Sequence, residues 1–392
     1  MFTSIPYGHH EISDNDIQSV IEVLRSEWLT QGPVVPLFEQ TLASKVGAKH
    51  AVAVNSATSA LHIACLALGI GKGDRVWTSP NTFVASSNCA IYCGAEIDFI
   101  DIDFKTYNMS IESLSRKLAE AEKKGMLPKL VIPVHYAGQP CDMRSIYELS
   151  KKYGFRVLED ASHAIGATFE DAKVGSCRYS DITVFSFHPV KIITTAEGGA
   201  ALTNDVDLAE RMKILRSHGI TSKVNQPSIC LVDEIWNYQQ INLGYNYRMT
   251  DIQAALGLSQ LARLDNFVSK RHVIAGLYND ALAALPITTP WQYSFGYSSY
   301  HLYPIRIDQI TCGKNQRQVY DAFWRNGVKV NIHYIPVYLQ PYYKKLGFRR
   351  NYCPESERYF REAISLPIYS NLSQEQQEQV ISILKNTLQS KD

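Results

Sequence analysis

The 392-residue chain has no block of like charge and almost no net charge, with 39 Lys and Arg against 38 Asp and Glu. This gives no basis for binding nucleic acid or an anionic membrane surface. It has no internal repeat and no low-complexity tail. Its eight cysteines, at 65, 89, 93, 141, 177, 230, 312 and 353, share no repeated spacing, which argues against a disulfide framework or a zinc module. Cys89 and Cys93 are the closest pair, but they lie in an apolar helix-like stretch and read as core; no metal site is expected. The segment Met1-Phe2-Thr3-Ser4-Ile5-Pro6-Tyr7 has neither a basic leader nor an apolar run, so no signal peptide and a cytoplasmic location are expected. A glycine-rich strand-to-helix turn is also missing. Gly69-Ile70-Gly71-Lys72-Gly73-Asp74 follows a helix and precedes the strand-like Arg75-Val76-Trp77, the reverse of a nicotinamide-binding unit, and reads as a helix C-cap and turn. Ala51 to Gly71 carries no charge and is long enough to cross a bilayer, but Asn55, Ser56, Thr58, Ser59 and His62 interrupt it. A buried strand, turn and helix explain it better.

What is present is an alternation of strand-like and helical runs. Strands are expected at Ala51–Val54, Glu96–Ile100, Lys129–Val134, Arg156–Leu158, Ile182–Phe187 and Ala200–Thr203, a pattern that predicts a mostly parallel sheet covered by helices on both faces, the last two strands pairing antiparallel. Ser13, with Asp16 three residues on, caps an opening helix whose apolar face is Ile17, Val20, Ile21 and Leu24. Thr250 to Leu285 has helical spacing over roughly 50 Å, more than a small domain needs, which predicts a kink or a link between domains. The boundary is placed near residue 260, giving a large domain over 1–260 and a small one over 261–392. Strands at Tyr300–Ile307 and Val328–Asn331 and a final helix capped by Ser373 and Gln376 complete the smaller part.

Three segments carry chemistry. Lys191 sits in Phe185-Ser186-Phe187-His188-Pro189-Val190-Lys191-Ile192-Ile193, closed by Glu197-Gly198-Gly199. A lysine among apolar neighbours loses hydration and becomes a neutral amine nucleophile, as a Schiff base requires; the same pattern also suits an edge lysine whose ammonium reaches water. Asp160 ends the strand-like Phe155-Arg156-Val157-Leu158-Glu159, where ligands of parallel sheets bind. There it suits the pyridine nitrogen of pyridoxal phosphate, or a helix N-cap. Asn55-Ser56-Ala57-Thr58-Ser59 lies between a strand and a helix, which makes an anion site from unpaired N–H groups and the helix dipole, or an ordinary N-cap.

Together with Gly32-Pro33, Phe38-Glu39, Thr82-Phe83-Val84-Ala85, Glu159-Asp160-Ala161-Ser162-His163-Ala164 and Gly244-Tyr245-Asn246-Tyr247-Arg248-Met249, these segments resemble the nucleotide-sugar aminotransferases of pyridoxal-phosphate fold type I. The resemblance implies an α/β fold: a large domain with a mostly parallel seven-stranded sheet flanked by helices, and a smaller α+β C-terminal domain. It implies pyridoxal 5'-phosphate held as an aldimine on Lys191, with pyridoxamine phosphate as intermediate. Asp160 pairs with the pyridine nitrogen, Phe83 stacks on the ring, His163 lies near the phenolic oxygen, and Ser186, Ala57 and Thr58 hold the phosphate. Asn246 reaches the phosphate of a neighbouring subunit, which implies a homodimer with shared active sites. His188, Arg248, His333 and Tyr334 are the substrate candidates. Ala196 stands where the family usually has glycine, and a positive φ there would cost roughly 1 kcal/mol.

The run Asn331-Ile332-His333-Tyr334-Ile335-Pro336-Val337-Tyr338, with Ser365-Leu366-Pro367-Ile368-Tyr369, is similar to the branch of this family that serves pseudaminic acid biosynthesis. That similarity implies transfer of the amino group of L-glutamate, which leaves as 2-oxoglutarate, to the 4-keto carbon of a UDP-linked 4-keto-6-deoxy-N-acetylhexosamine. Other nucleotide-ketosugar stereoisomers are one alternative, and a nucleotide-sugar dehydrogenase or epimerase without pyridoxal phosphate is the other.

Overall fold

The computed structural model describes residues 4–221 and 238–389; Cys230 and Met1 to Thr3 lie outside them. Seven strands form the central sheet: β1 His50–Val54, β2 Arg75–Thr78, β3 Glu96–Phe99, β4 Leu130–Ile132, β5 Arg156–Asp160, β6 Ile182–Ser186 and β7 Gly199–Thr203. Their order is β1-β7-β6-β5-β4-β2-β3. β7 runs antiparallel to both neighbours, while β2 to β6 pair in parallel. The pairing of β6 with β7 is the antiparallel one expected around Lys191.

Alternation along the strands divides the core. Val52, Val54, Leu158, Val184 and Ala201 face one side, against helices α3 (Ala57–Ala67), α4 (Ala85–Tyr92) and α7 (Val206–Arg216). Ala51, Ala53, Phe185, Ala200 and Leu202 face the other, against α2 (Val34–Val46) and α8 (Asp251–Ala262). Strands covered on both faces read as continuous apolar runs, which is why His50 to Val54 carries no polar alternation. Helices α5 (Ile111–Lys123) and α6 (Met143–Tyr153) extend the cover over Trp77, Val131 and Val157. Each fully buried large apolar side chain in these layers stabilises the fold by about 1.5–3 kcal/mol.

Helix α1 (Asp14–Leu24) opens with the expected capping box of Ser13 and Asp16. The helical run after Thr250 is two helices, α8 and α9 (Leu264–Leu282), meeting at Arg263. That arginine is paired to Glu11 at 3.0 Å and to buried Asp16 of α1. Beyond it a separate core gathers Tyr278, Tyr303, Ile305, Phe323, Val328, Ile364, Val380 and Leu384. Ile5 belongs to this core, because Ile5–Pro6 pairs in parallel with Val328–Lys329. The strand expected from Tyr300 begins at Tyr303. Tyr300 has φ 46°, and the carbonyls of Tyr300 and His301 accept hydrogen bonds from the Arg271 side chain, so these residues are taken out of the ladder.

Ala51 to Gly71 is strand β1, a turn and helix α3, and among the described residues no helix is long and apolar enough to cross a membrane. Gly69 and Gly73 have φ of 72° and 90° in the turn between α3 and β2, as a C-cap and turn require. Among the described residues no group of three or more histidine, cysteine or acidic side chains is arranged to hold a metal.

Candidate active site

The carboxyl ends of β1, β2, β5 and β6 open onto one cavity of about 560 Å³, a volume suited to a small ligand. Lys191, Asp160, Ala57, Thr58, Phe83, His163, Ser186, His188, His333 and Tyr334 all line it. Arg248 and Asn246 do not. Arg248 bridges to Val54 through its backbone, and Asn246 is exposed and bridges to Ser217.

Lys191 follows the turn His188-Pro189-Val190, which is closed by its own N–H donating to the His188 carbonyl at 2.8 Å. The side chain lines the cavity, and surrounding protein desolvates the amine. Burial pushes its pKa down to about 8, against a smaller upward pull from the Asp160 carboxylate.

Asp160, at the end of β5, is 4% exposed. Its Oδ2 accepts from the Ser86 hydroxyl at 2.6 Å and its Oδ1 from the Ser162 N–H at 3.1 Å. A carboxylate only accepts, so the Ser86 proton is committed to Asp160 and the Thr82 hydroxyl donates to Ser86 at 2.7 Å. These bonds fix the carboxylate plane and leave lone pairs free for a cationic partner in the cavity.

The first turn of α3 forms the opposite end. Ser56 caps the helix by accepting from the Ser59 N–H, while the N–H groups of Ala57 and Thr58 have no carbonyl four residues back to serve. Among the described residues no hydrogen bond is made by the Thr58 or Ser186 hydroxyls, and both residues line the cavity. A Cβ on Gly199 would stand 2.5 Å from the Ala57 nitrogen. Glycine there lets β7 run directly beneath the anion-binding turn, which accounts for half of the Gly-Gly pair.

His163 receives the Ala137 N–H on Nδ1 at 3.3 Å, so its proton is on Nε2 and is donated to the Tyr334 hydroxyl, also at 3.3 Å. Burial, with Lys191 and His333 nearby, pushes its pKa well below the ordinary value and keeps the ring neutral. His333 accepts on Nε2 from the Asn331 amide at 3.3 Å and donates from Nδ1 to Ser365 at 2.8 Å. Burial lowers it to about 3, aided by Lys191. His188 is half exposed at the cavity mouth, 4.0 Å from Glu197. Phe83 is 60% exposed with its ring on the cavity wall.

Sequence reasoning missed Ser86 and Tyr7. Ser86 is the residue immediately after the matched stretch Thr82-Phe83-Val84-Ala85, so extending that match by one position would have found it. Tyr7 reaches the cavity because Ile5–Pro6 is anchored on the smaller core, and no local motif announces it.

The model of the DegT/DnrJ/EryC1/StrS aminotransferase family matches residues 10–385. The chain belongs to that family. It is 38% identical over 392 residues to the spore coat polysaccharide biosynthesis protein SpsC of Bacillus subtilis, covering 99% of this chain and 98% of that protein. It is 37% identical over 372 residues to the UDP-4-amino-4,6-dideoxy-N-acetyl-beta-L-altrosamine transaminase of Campylobacter jejuni, covering 94% and 93%. Among solved structures, the Helicobacter pylori aminotransferase PseC, involved in pseudaminic acid biosynthesis, superposes with a TM-score of 0.89 at 32% identity over 98% of this chain and 99% of that one. The PLP form of a sugar aminotransferase from Streptococcus pneumoniae superposes with a TM-score of 0.87 at 29% identity over 98% of each chain.

The protein is therefore a pyridoxal-phosphate-dependent sugar aminotransferase. Its cavity fits that cofactor: a helix N-terminus with unpaired N–H groups stands at one end beside two hydroxyls that have no partner among the described residues, a fixed carboxylate and a desolvated amine line the interior, and an exposed aromatic face forms a wall.

Proposed function

We propose that this aminotransferase moves the amino group of L-glutamate to the 4-keto carbon of UDP-2-acetamido-2,6-dideoxy-beta-L-arabino-hex-4-ulose, forming UDP-4-amino-4,6-dideoxy-N-acetyl-beta-L-altrosamine for pseudaminic acid biosynthesis. The observation that carries the reaction class is the meeting of Lys191, Asp160 and the N-terminus of α3 around one cavity. Likeness to the C. jejuni transaminase and to PseC supports the sugar.

In this reading pyridoxal phosphate supplies an aldehyde for imine formation and a ring that accepts the electrons freed at the amino-acid α carbon. Lys191 would hold the cofactor's aldehyde through its amine and, as a neutral base, would take the proton from the donor's α carbon. Asp160 keeps the pyridine nitrogen protonated, with Ser86 and Ser162 holding the carboxylate in place. Phe83 would stack on the ring, His163 would lie near the phenolic oxygen, and Ala57, Thr58 and Ser186 would bind the phosphate. Asn246 serves the phosphate of the second subunit of a homodimer. His188, His333 and Tyr334 would contact the sugar nucleotide from the cavity wall. The chain divides near residue 260 into a cofactor-binding part and a smaller C-terminal part.

The test is a panel of nucleotide-linked 4-ketosugars incubated with glutamate and purified, cofactor-loaded enzyme, the products separated and weighed. Preference for the L-arabino-hex-4-ulose supports the proposal, whereas equal or greater turnover of another stereoisomer overturns the sugar and keeps the reaction. The second reading, another nucleotide ketosugar as acceptor, draws on the 38% identity to SpsC, a protein named for spore coat polysaccharide biosynthesis.

A further inference from the structure

His163 lines the cavity, but what holds it there is residues 298–302, a segment of the smaller part of the chain that is outside the lining. The Ser299 hydroxyl donates to the His163 carbonyl at 2.7 Å. The N–H groups of Ser299 and Leu302 donate to the carbonyls of Gly138 and Ala137 at 3.1 and 3.2 Å, and Ala137 gives its own N–H to the His163 ring. The fit is tight. A Cβ on Gly138, whose φ is 95°, would stand 2.4 Å from the Ser299 Oγ and 3.0 Å from both the His163 oxygen and the His301 nitrogen. Arg271 of α9 anchors the segment: its guanidinium is buried, with Nη1 donating to the carbonyls of Tyr300, His301 and Ile368 at 3.1, 3.3 and 2.9 Å.

Within this segment the His301 ring packs on the His163 ring. Their centroids are 4.4 Å apart with the planes inclined at 47°, whereas the rings of Tyr136 and Tyr334 stand 6.2 and 6.3 Å from His163. His301 is buried, and its Nδ1 has no hydrogen-bond partner among the described residues. An orphaned buried polar atom costs stability, so packing alone would be better served by an apolar side chain. Burial, with His163, Lys191, Arg271 and His333 nearby, pushes the His301 pKa well below its ordinary value, and the uncharged ring lies against neutral His163 without repulsion. The two hydrogen bonds to the His163 ring, from Ala137 and to Tyr334, are both 3.3 Å, long for their kind. They leave the tilt of the ring to the neighbour it packs against.

We propose that Ser299 and His301 are positioning residues for the aminotransferase reaction: Ser299 fixes the His163 backbone, and the His301 ring fixes the tilt of the His163 imidazole in the cavity, beside the phenolic oxygen of the cofactor. This rests on the reading of His163 as the residue near that oxygen. Neither Ser299 nor His301 touches the cavity itself, so both act through His163.

The experiment follows the visible absorption band of cofactor-loaded enzyme as a function of pH in wild type, His163→Gln, His301→Leu and Ser299→Ala. A polar group beside the phenolic oxygen helps to set the midpoint, so His163→Gln is expected to move it by roughly half a pH unit or more. His301→Leu and Ser299→Ala should each move it in the same direction, whereas a side chain that served packing alone would leave it in place. Ser299→Ala removes a single oxygen and keeps the test open should His301→Leu not fold. A wild-type midpoint in folded His301→Leu or Ser299→Ala, beside a shifted one in His163→Gln, would overturn the positioning role of that residue and spare the assignment of His163. A wild-type midpoint in His163→Gln would overturn that assignment and this inference with it.

Discussion

Glu159 and Asp160 are consecutive carboxylates on one strand, and the two faces of the sheet use them differently. Glu159 turns into the protein, where it is held by His135 at 2.7 Å, by Thr183 at 2.9 Å and by Ser180. Its partner His135 receives the Cys141 N–H at 3.0 Å on the Nδ1 side, which leaves Nε2 to donate to Glu159. Asp160 turns into the cavity with a hydroxyl and an N–H only. Strand alternation separates them completely. One acid has its acceptor capacity taken up by the fold, and the other keeps some for a ligand. Position along a strand end, more than residue type, marks the acid that faces the cavity.

The largest test of this contrast removes the amine on the cavity side. Lys191→Ala is expected to lower turnover by about 10⁴-fold, the upper range for a positioned proton-transfer group, and to abolish the borohydride-reducible adduct near 420 nm. Retained turnover would mean that the cavity is not where the chemistry occurs.

Next come the two acids themselves. Asp160→Asn should cut kcat by roughly 10²-fold or more while leaving the melting temperature nearly unchanged. Glu159→Gln should do the reverse, leaving kcat close to wild type but destabilising the fold by about 1–3 kcal/mol, because a buried donor is left facing an amide NH₂. If both substitutions damaged kcat alike, the contrast between the faces would fail.

Acid sharpens it further. Burial alone would raise the Glu159 pKa, but the bonds from His135, Ser180 and Thr183 hold it below its ordinary value. Its stabilising contribution is therefore full above the unfolded value of about 4.3 and is lost as pH falls through the lower folded value. Wild-type unfolding free energy should drop more steeply with acid than that of Glu159→Gln, and parallel curves would contradict this.

On the cavity side, Lys191 at about 8 is about one-tenth neutral at pH 7, against about one molecule in 2,500 for an ordinary lysine. The rate at which the apoprotein takes up pyridoxal phosphate should rise with pH and level off above about 8; a midpoint near 10 would show the amine to be solvated.

The smallest expected effect is at the loop between β6 and β7. Ala196 has φ 64°, a left-handed conformation in which alanine is strained and glycine is not. Ala196→Gly should stabilise the protein by up to about 1 kcal/mol, since the relief is partly offset by a more flexible unfolded chain, and calorimetry would read it as a melting-temperature rise of a degree or two. A lower melting temperature would show that the strain is relieved elsewhere.

How much of this was legible follows from the range of each interaction. The strands, the opening capping box and the chemistry-bearing turns could be read because they rest on periodicity and contacts within four residues. The family resemblance added roles to Lys191, Asp160 and the Ala57-Thr58 turn, already chosen for their local setting, and alone supplied Phe83, His163, Ser186, Asn246 and the substrate candidates. Ser86 and Tyr7 escaped because their importance lies in what they approach, a carboxylate 74 positions away for Ser86 and a cavity built from distant strands for Tyr7. The beginning of the strand at Tyr303 was misjudged for the same reason, as Arg271 claims the carbonyls of Tyr300 and His301 from a separate helix.

By itself, then, the amino-acid order determined which segments are strands, which turn can bind an anion and which lysine stands among apolar neighbours, since short-range sterics and burial patterns need no partner. Only the tertiary structure decided that these segments converge on one cavity, that Asp160 and not Glu159 faces it, and that His163 carries its proton on Nε2. Those facts depend on strand order and helix packing, which bring together groups that chain connectivity leaves far apart.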